Sequence, residues 1–105
     1  MQSKIRNRMK TEYQQKVINR IKSIREEKGV TQLAFAKLLD ISPGQMGNID
    51  SYKQPHKYTV KQIVTICDSL GVNIEEVLFP EKEKSEDYSV RDVVNAIIHY
   101  QESSK

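Results

Sequence analysis

At 105 residues, with 37% hydrophobic and 30% charged residues, the chain is the size of one small domain and has little material for a large core. No run approaches the length of a membrane span and no apolar stretch near the N-terminus resembles a secretory signal, so no membrane association and a cytoplasmic location are expected. The lone cysteine, Cys67, excludes an internal disulfide, and the two histidines, His56 and His99, lie far apart without a Cys/His cluster, which speaks against a metal site.

The net charge of +3 is mild but uneven. Residues 1–29 carry nine Lys/Arg against three Glu, residues 30–79 four against five acidic, and residues 80–105 four against six. A basic head on a near-neutral body suits an anionic partner, nucleic acid first, although a head that is basic only for solubility would look the same.

In chain order, residues 1–10 are polar and basic and read as an arm. Thr11 with Gln14 three residues on makes a capping-box pattern, after which Tyr13, Val17, Ile18, Ile21 and Ile24 recur at helical spacing up to Lys28 and Gly29. Thr31 opens a second, short helix with Phe35, Ala36 and Leu39 inward, ending at Asp40. Ser42-Pro43 starts a third helix with Met46 and Ile49 as its buried face. Ser51 to Tyr58 is a polar, proline-containing loop. Thr59 caps a fourth helix carrying Val60, Ile63, Val64, Ile66, Cys67 and Leu70 and ending at Gly71. Asn73 caps a short fifth helix with Ile74, Val77, Leu78 and Phe79, closed by Pro80. Glu81 to Asp87 is a charged linker. Ser89 and Asp92 then open a last helix whose Val90, Val93, Val94, Ile97 and Ile98 form an apolar stripe. No strand pattern and no repeat appear, so the class is all-α. Nothing pairs a nucleophile with a base, cradles a phosphate in a glycine loop or sets two carboxylates for catalysis, so neither an enzyme nor a cofactor is expected.

Two short helices joined by a tight turn suggest a helix-turn-helix. The second can enter a DNA major groove only if the first holds it at a fixed angle across the backbone. Ala36 supplies the small residue for the crossing, Asp40-Ile41 the turn, and Ile49 the anchor into the core.

The run "IKSIREEKGVTQLAFAKLLDIS", followed by "MGNID" and "IVTICDSLGVNIEEVLF", resembles the lambda-repressor-like, Cro/C1-type (XRE family) helix-turn-helix domains over roughly Val17 to Phe79. The resemblance implies a five-helix domain, here with an N-terminally extended first helix and an additional C-terminal helix. The expected organisation is a basic arm over residues 1–12, a DNA-binding domain over 13–80, and a linker with an amphipathic helix over 81–105. It also implies site residues. Gln32 stands where the family commonly contacts a phosphate, and Ser42 at the N-cap of the recognition helix. Gly44, Gln45 and Asn48 take outward positions, with Gln45 and Asn48 suited to pair two ways with adenine. Lys53, His56, Lys57 and Tyr58 lie in the loop that usually follows the DNA backbone. The chain departs from the pattern in several places: the loop to the fourth helix is a residue or two longer than usual, and Pro43 and Gly44 take positions that often carry polar readers. Asp50 stands where the family usually has Glu. Tyr52 replaces a glycine that permits a left-handed backbone. Asp40 replaces another glycine, but aspartate tolerates that conformation.

Gly44 and Gly47 raise a question, because each costs a helix about 1 kcal/mol relative to alanine. They either let the backbone approach DNA closely or mark a helix kept for its shape. Leu33 is expected to face outward, where a polar residue is usual, with Leu38 at the border; a patch with Ala34 is a candidate partner surface. The terminal stripe of Val90, Val93, Val94, Ile97 and Ile98 either docks on its own domain or, the reading favoured here, forms a homodimer. The expected function is a sequence-specific, repressor-like transcription regulator binding double-stranded DNA. No separate ligand-sensing domain is expected at this length. The alternative is a protein-interaction module on the same fold, an antitoxin or accessory subunit.

Overall fold

The structure is a computed structural model that describes residues 9–81 and 87–102. Most of the expected arm (residues 1–8) and most of the expected linker (residues 82–86) lie outside the described residues. The described residues form six α-helices and no strand: α1 Glu12–Glu27, α2 Gln32–Leu39, α3 Pro43–Asp50, α4 Val60–Leu70, α5 Ile74–Leu78 and α6 Val90–Gln101. The fold is all-α, as the periodicity predicts.

Local chemistry sets the helix ends. Thr11, Thr31, Ser42, Thr59 and Ser89 all sit in extended backbone with a hydroxyl accepting from the N–H three residues on. Each of these caps satisfies a donor that the helix leaves orphaned. At the other ends, Gly29 (φ 72°) and Gly71 (φ 67°) take the left-handed conformation, and Asp40 (φ 57°) does the same as the one non-glycine among the described residues. The tolerance expected of aspartate there is met.

The core gathers one face of every helix: Val17, Ile18, Ile21 and Ile24 of α1, Phe35 and Ala36 of α2, Met46 and Ile49 of α3, Ile63, Ile66 and Cys67 of α4, and Val77 and Leu78 of α5. Helix α3 packs on α2 and α1, and α2 in turn on α4. Cys67 is buried there, and burial pushes its thiol up to about 11, so it behaves as a small apolar residue. Val64, one of the apolar positions of α4, is exposed.

The last helix differs in its rotation from the expected stripe. It packs on α1 and α5 through buried Ala96 and Tyr100, with Val93 and Ile97 half-buried beside them. Val90, Val94 and Ile98 stay exposed. The tyrosine decides the rotation. Its ring is the largest apolar payload on the helix, and its hydroxyl donates to Tyr58 O at 2.8 Å. Gln14, itself buried, donates through Nε2 to Tyr100 O (2.7 Å) and Glu102 O (2.8 Å). One glutamine thus closes the start of α1 and caps the end of α6. Tyr13 and His99 stack at 4.6 Å, and Phe79 and Tyr88 at 4.0 Å.

If α6 is an integral wall of the core, Tyr100→Ala lowers unfolding free energy by about 3–5 kcal/mol. Tyr100→Phe, which loses the bond to Tyr58 O alone, costs about 1 kcal/mol. Urea denaturation checks both, and a chain indifferent to Tyr100→Ala would mean that α6 does not dock.

Candidate nucleic-acid interface

Helix α3 is a poor helix by composition, and its neighbours hold it in place. Ser42 Oγ accepts from Gln45 N–H at 3.0 Å while Gln45 Oε1 accepts from Ser42 N–H at 3.1 Å, and Pro43 fills the first turn. Met46 and Ile49 are buried. The C-terminal end is gripped from two directions. Lys10 donates from Nζ to Ile49 O (2.7 Å), Ser51 O (2.7 Å) and His56 O (2.8 Å). A cation at a helix C-terminus also meets the negative end of the dipole. Burial pulls the Lys10 ammonium down to about 8, with the Asp50 charge opposing.

Asp50, the last residue of α3, forms the second grip. Its Oδ2 lies 3.4 Å from Arg25 Nη2 and accepts from Gln32 Nε2 at 2.8 Å. The Arg25 and Asp50 side chains are each only 6% exposed. Arg25 also donates from Nη1 to Val30 O at 3.0 Å, and its guanidinium lies 5.8 Å from the Phe35 ring centroid. One ion pair therefore joins α1 to α3, and Gln32 adds the start of α2.

The outward surface of this unit contains most of the expected site. Gln32, Ser42, Gly44, Gln45 and Lys53 are exposed, and Asn48 and Lys57 are half-buried. Asp50 is the only acid between Ile41 and Lys57, and Arg25 neutralises it. The surface therefore presents Lys53 and Lys57 without an opposing charge of its own. Lys53 Nζ lies over the Tyr52 ring at 5.8 Å and Lys57 Nζ over the Tyr100 ring at 5.9 Å. The two glycines have ordinary helical backbone. A Cβ on Gly44 would meet only Ser42 Oγ at 3.9 Å, and one on Gly47 nothing within 4 Å. Internal packing therefore does not require either of them.

Four expectations change. Tyr58 was placed in the backbone-following loop, but its ring is 1% exposed and fills the core, so it offers no side chain to a phosphate. Tyr52 avoids the strain that its replacement of glycine suggested, because the loop turns without a positive φ at that position, and the ring is exposed. Gln45 carries a second duty as a cap. Finally, much of the basic head is spent internally. Arg25 is buried, Lys10 is bound to carbonyls, Arg20 donates to Glu76 O at 3.2 Å, and Lys16 pairs with Glu81 at 2.7 Å. The signal for Arg25 was present in the sequence, since it continues the Val17-Ile21 spacing by one more turn. Lys10 left no such signal.

Removing one partner of a buried pair strands the other charge, at about 3–5 kcal/mol. Arg25→Met should destabilise by that order, while Arg25→Met combined with Asp50→Leu should cost distinctly less. A double-mutant cycle in urea reads the difference, and equal losses would mean that the pair is not desolvated.

With this geometry established, comparison with known proteins adds one finding. A model of the Cro/C1-type HTH DNA-binding domain matches residues 20–83, more than half of the chain, from the middle of α1 through α5. No curated protein and no solved structure gave a match. The matched span encloses α2, the turn at Asp40-Ile41 and α3, and the chain belongs to the Cro/C1-type helix-turn-helix DNA-binding family.

Proposed function

We propose that the chain is a sequence-specific transcription regulator of the repressor type, which reads the major groove with α3. The observation that carries this reading is the pair of glycines. Gly44 and Gly47 weaken a helix whose packing does not need them, on a surface without unpaired acid. Small residues there let backbone and groove wall come together. In this reading Asn48 and the amide of Gln45 address base edges, Asn48 foremost because Gln45 also caps its own helix. Gln32, Ser42, Lys53 and Lys57 address phosphates, which fix register and supply salt-dependent affinity. The proposed organisation keeps residues 13–80 as the DNA-binding domain, with α6 as a docked addition.

We also propose that the regulator is a homodimer. The expected interface must be narrowed, since Val93 and Ile97 are half-buried against the chain's own core. Val90, Val94 and Ile98, one turn apart in succession and all exposed, remain for a second copy. Paired reading helices would then meet half-sites about 34 Å apart. The second reading, an interaction module of the antitoxin or accessory type, draws on Leu33 and Leu38, which are 53% and 38% exposed on the outer side of α2.

Selection from random duplexes, then binding over a salt series, separates the readings. An inverted repeat supports a dimeric regulator, and no binding at low salt supports the interaction module. Gly47→Ala should stabilise the fold by about 1 kcal/mol yet weaken the selected site; unchanged binding would remove the close-approach argument. Asn48→Ala should cost about 1–3 kcal/mol at the preferred site and relax one or two base pairs. Lys53→Ala should weaken all duplexes alike and lower the salt slope by about one unit. For the dimer, Val94→Glu with Ile98→Glu should halve the mass seen by light scattering without changing the melting temperature of the protomer fold. An unchanged mass would contradict the stripe.

A further inference from the structure

Three buried polar atoms at the root of α3 have no hydrogen-bond partner among the described residues: Arg25 Nε, Asp50 Oδ1 and Tyr58 Oη. All three side chains are more than nine-tenths buried, at 6%, 6% and 1% exposure. They belong to one neighbourhood. Arg25 and Asp50 meet directly, and both charges act on the Tyr58 phenol. Their own contact is a single one at 3.4 Å, longer than the about 2.7–2.9 Å of a charge-assisted bond, and it leaves Arg25 Nε and Asp50 Oδ1 unpaired. Buried polar groups left unpaired cost about 1–3 kcal/mol each, so three together call for a shared partner.

The valences define that partner. Arg25 Nε–H can only donate. Burial and the Asp50 charge hold the Tyr58 phenol far above its usual range, so it keeps its proton and has one to give. Ionised Asp50 Oδ1 can only accept. The partner must therefore accept two hydrogen bonds and donate one. A cation cannot accept, and it would face Arg25. A simple anion cannot donate, and it would face Asp50. Water, with two lone pairs and two hydrogens, does both.

We propose that this junction is an internal water site, in which one ordered water accepts from Arg25 Nε and Tyr58 Oη and donates to Asp50 Oδ1. The water joins α1, the end of α3 and the end of the following loop, and it completes the grip on α3 that the ion pair begins. Folded proteins hold on the order of one such water per ~27 residues, so a site of this kind is ordinary in a domain of this size. The inference stands on burial and valence alone and is independent of what α3 binds.

A high-resolution crystal structure of the full chain tests it, together with that of Asp50→Glu. The expected result is a water peak within hydrogen-bond distance of all three atoms. In Asp50→Glu the carboxylate reaches one methylene further toward Arg25, and the peak is lost as the carboxylate itself meets Arg25 Nε. In solution, cross-relaxation from a long-lived water to the Arg25 Nε proton should be seen in the wild type and lost in the variant. Tyr58 Oη bonded straight to Asp50 Oδ1, a dry gap, or a water touching only one of the three atoms would overturn the proposal. If Asp50→Glu fails to fold, the wild-type density decides by itself.

Discussion

The buried contact between Arg25 and Asp50 constrains everything around it. A guanidinium and a carboxylate withdrawn from water are tolerable only when they face one another, and their geometry leaves little freedom. Arg25 belongs to the long first helix and Asp50 to the last turn of α3, so the pair sets the distance between the scaffold and the second helix of the helix-turn-helix. Gln32 attaches the opening of α2 to the same carboxylate. The angle between the two short helices thus follows from an electrostatic requirement as well as from the packing of Ala36, Met46 and Ile49.

This arrangement explains how so weak a helix survives. Eight residues with two glycines would not hold a helix alone. At its start, Ser42 and Gln45 satisfy each other's backbone donors; along its inner side, two large side chains enter the core; at its end, Lys10 collects carbonyls from the helix and from the loop beyond. Stability comes from tertiary partners, and the outer side is released from any duty to propensity. The residues on that side can then be chosen for what approaches them. Lys10 and Tyr58 show the converse: half-buried Lys10 grips the end of α3 and Tyr58 fills the core, so both serve the fold.

The secondary structure was readable from sequence because its signals are local. Capping residues at Thr11, Thr31, Ser42, Thr59 and Ser89, stops at Gly29 and Gly71, and apolar spacing in between give the helices almost residue by residue. The exposed residues of α3 were readable for the same reason. What escaped depends on contacts between distant segments. A loop tyrosine turns inward because α6 supplies Tyr100 to bond its carbonyl. A lysine in a polar arm finds three carbonyls about forty residues away. An amphipathic helix offers one broad apolar stripe, and Tyr100 decides which of its residues meet the core. Periodicity reports that a face is apolar and is silent on which neighbour covers it.

The account rests on α3 and the loop after it being the surface that meets a duplex. Backbone amide shifts of the labelled chain, followed during titration with a selected duplex, test this most directly. The account predicts that the largest changes fall on Gln32, Ser42, Gly44 to Asn48 and Lys53 to Lys57, with Val90 to Ile98 of α6 little affected by the DNA itself. Changes concentrated on α6, or on Leu33 and Leu38 with α3 untouched, would contradict it.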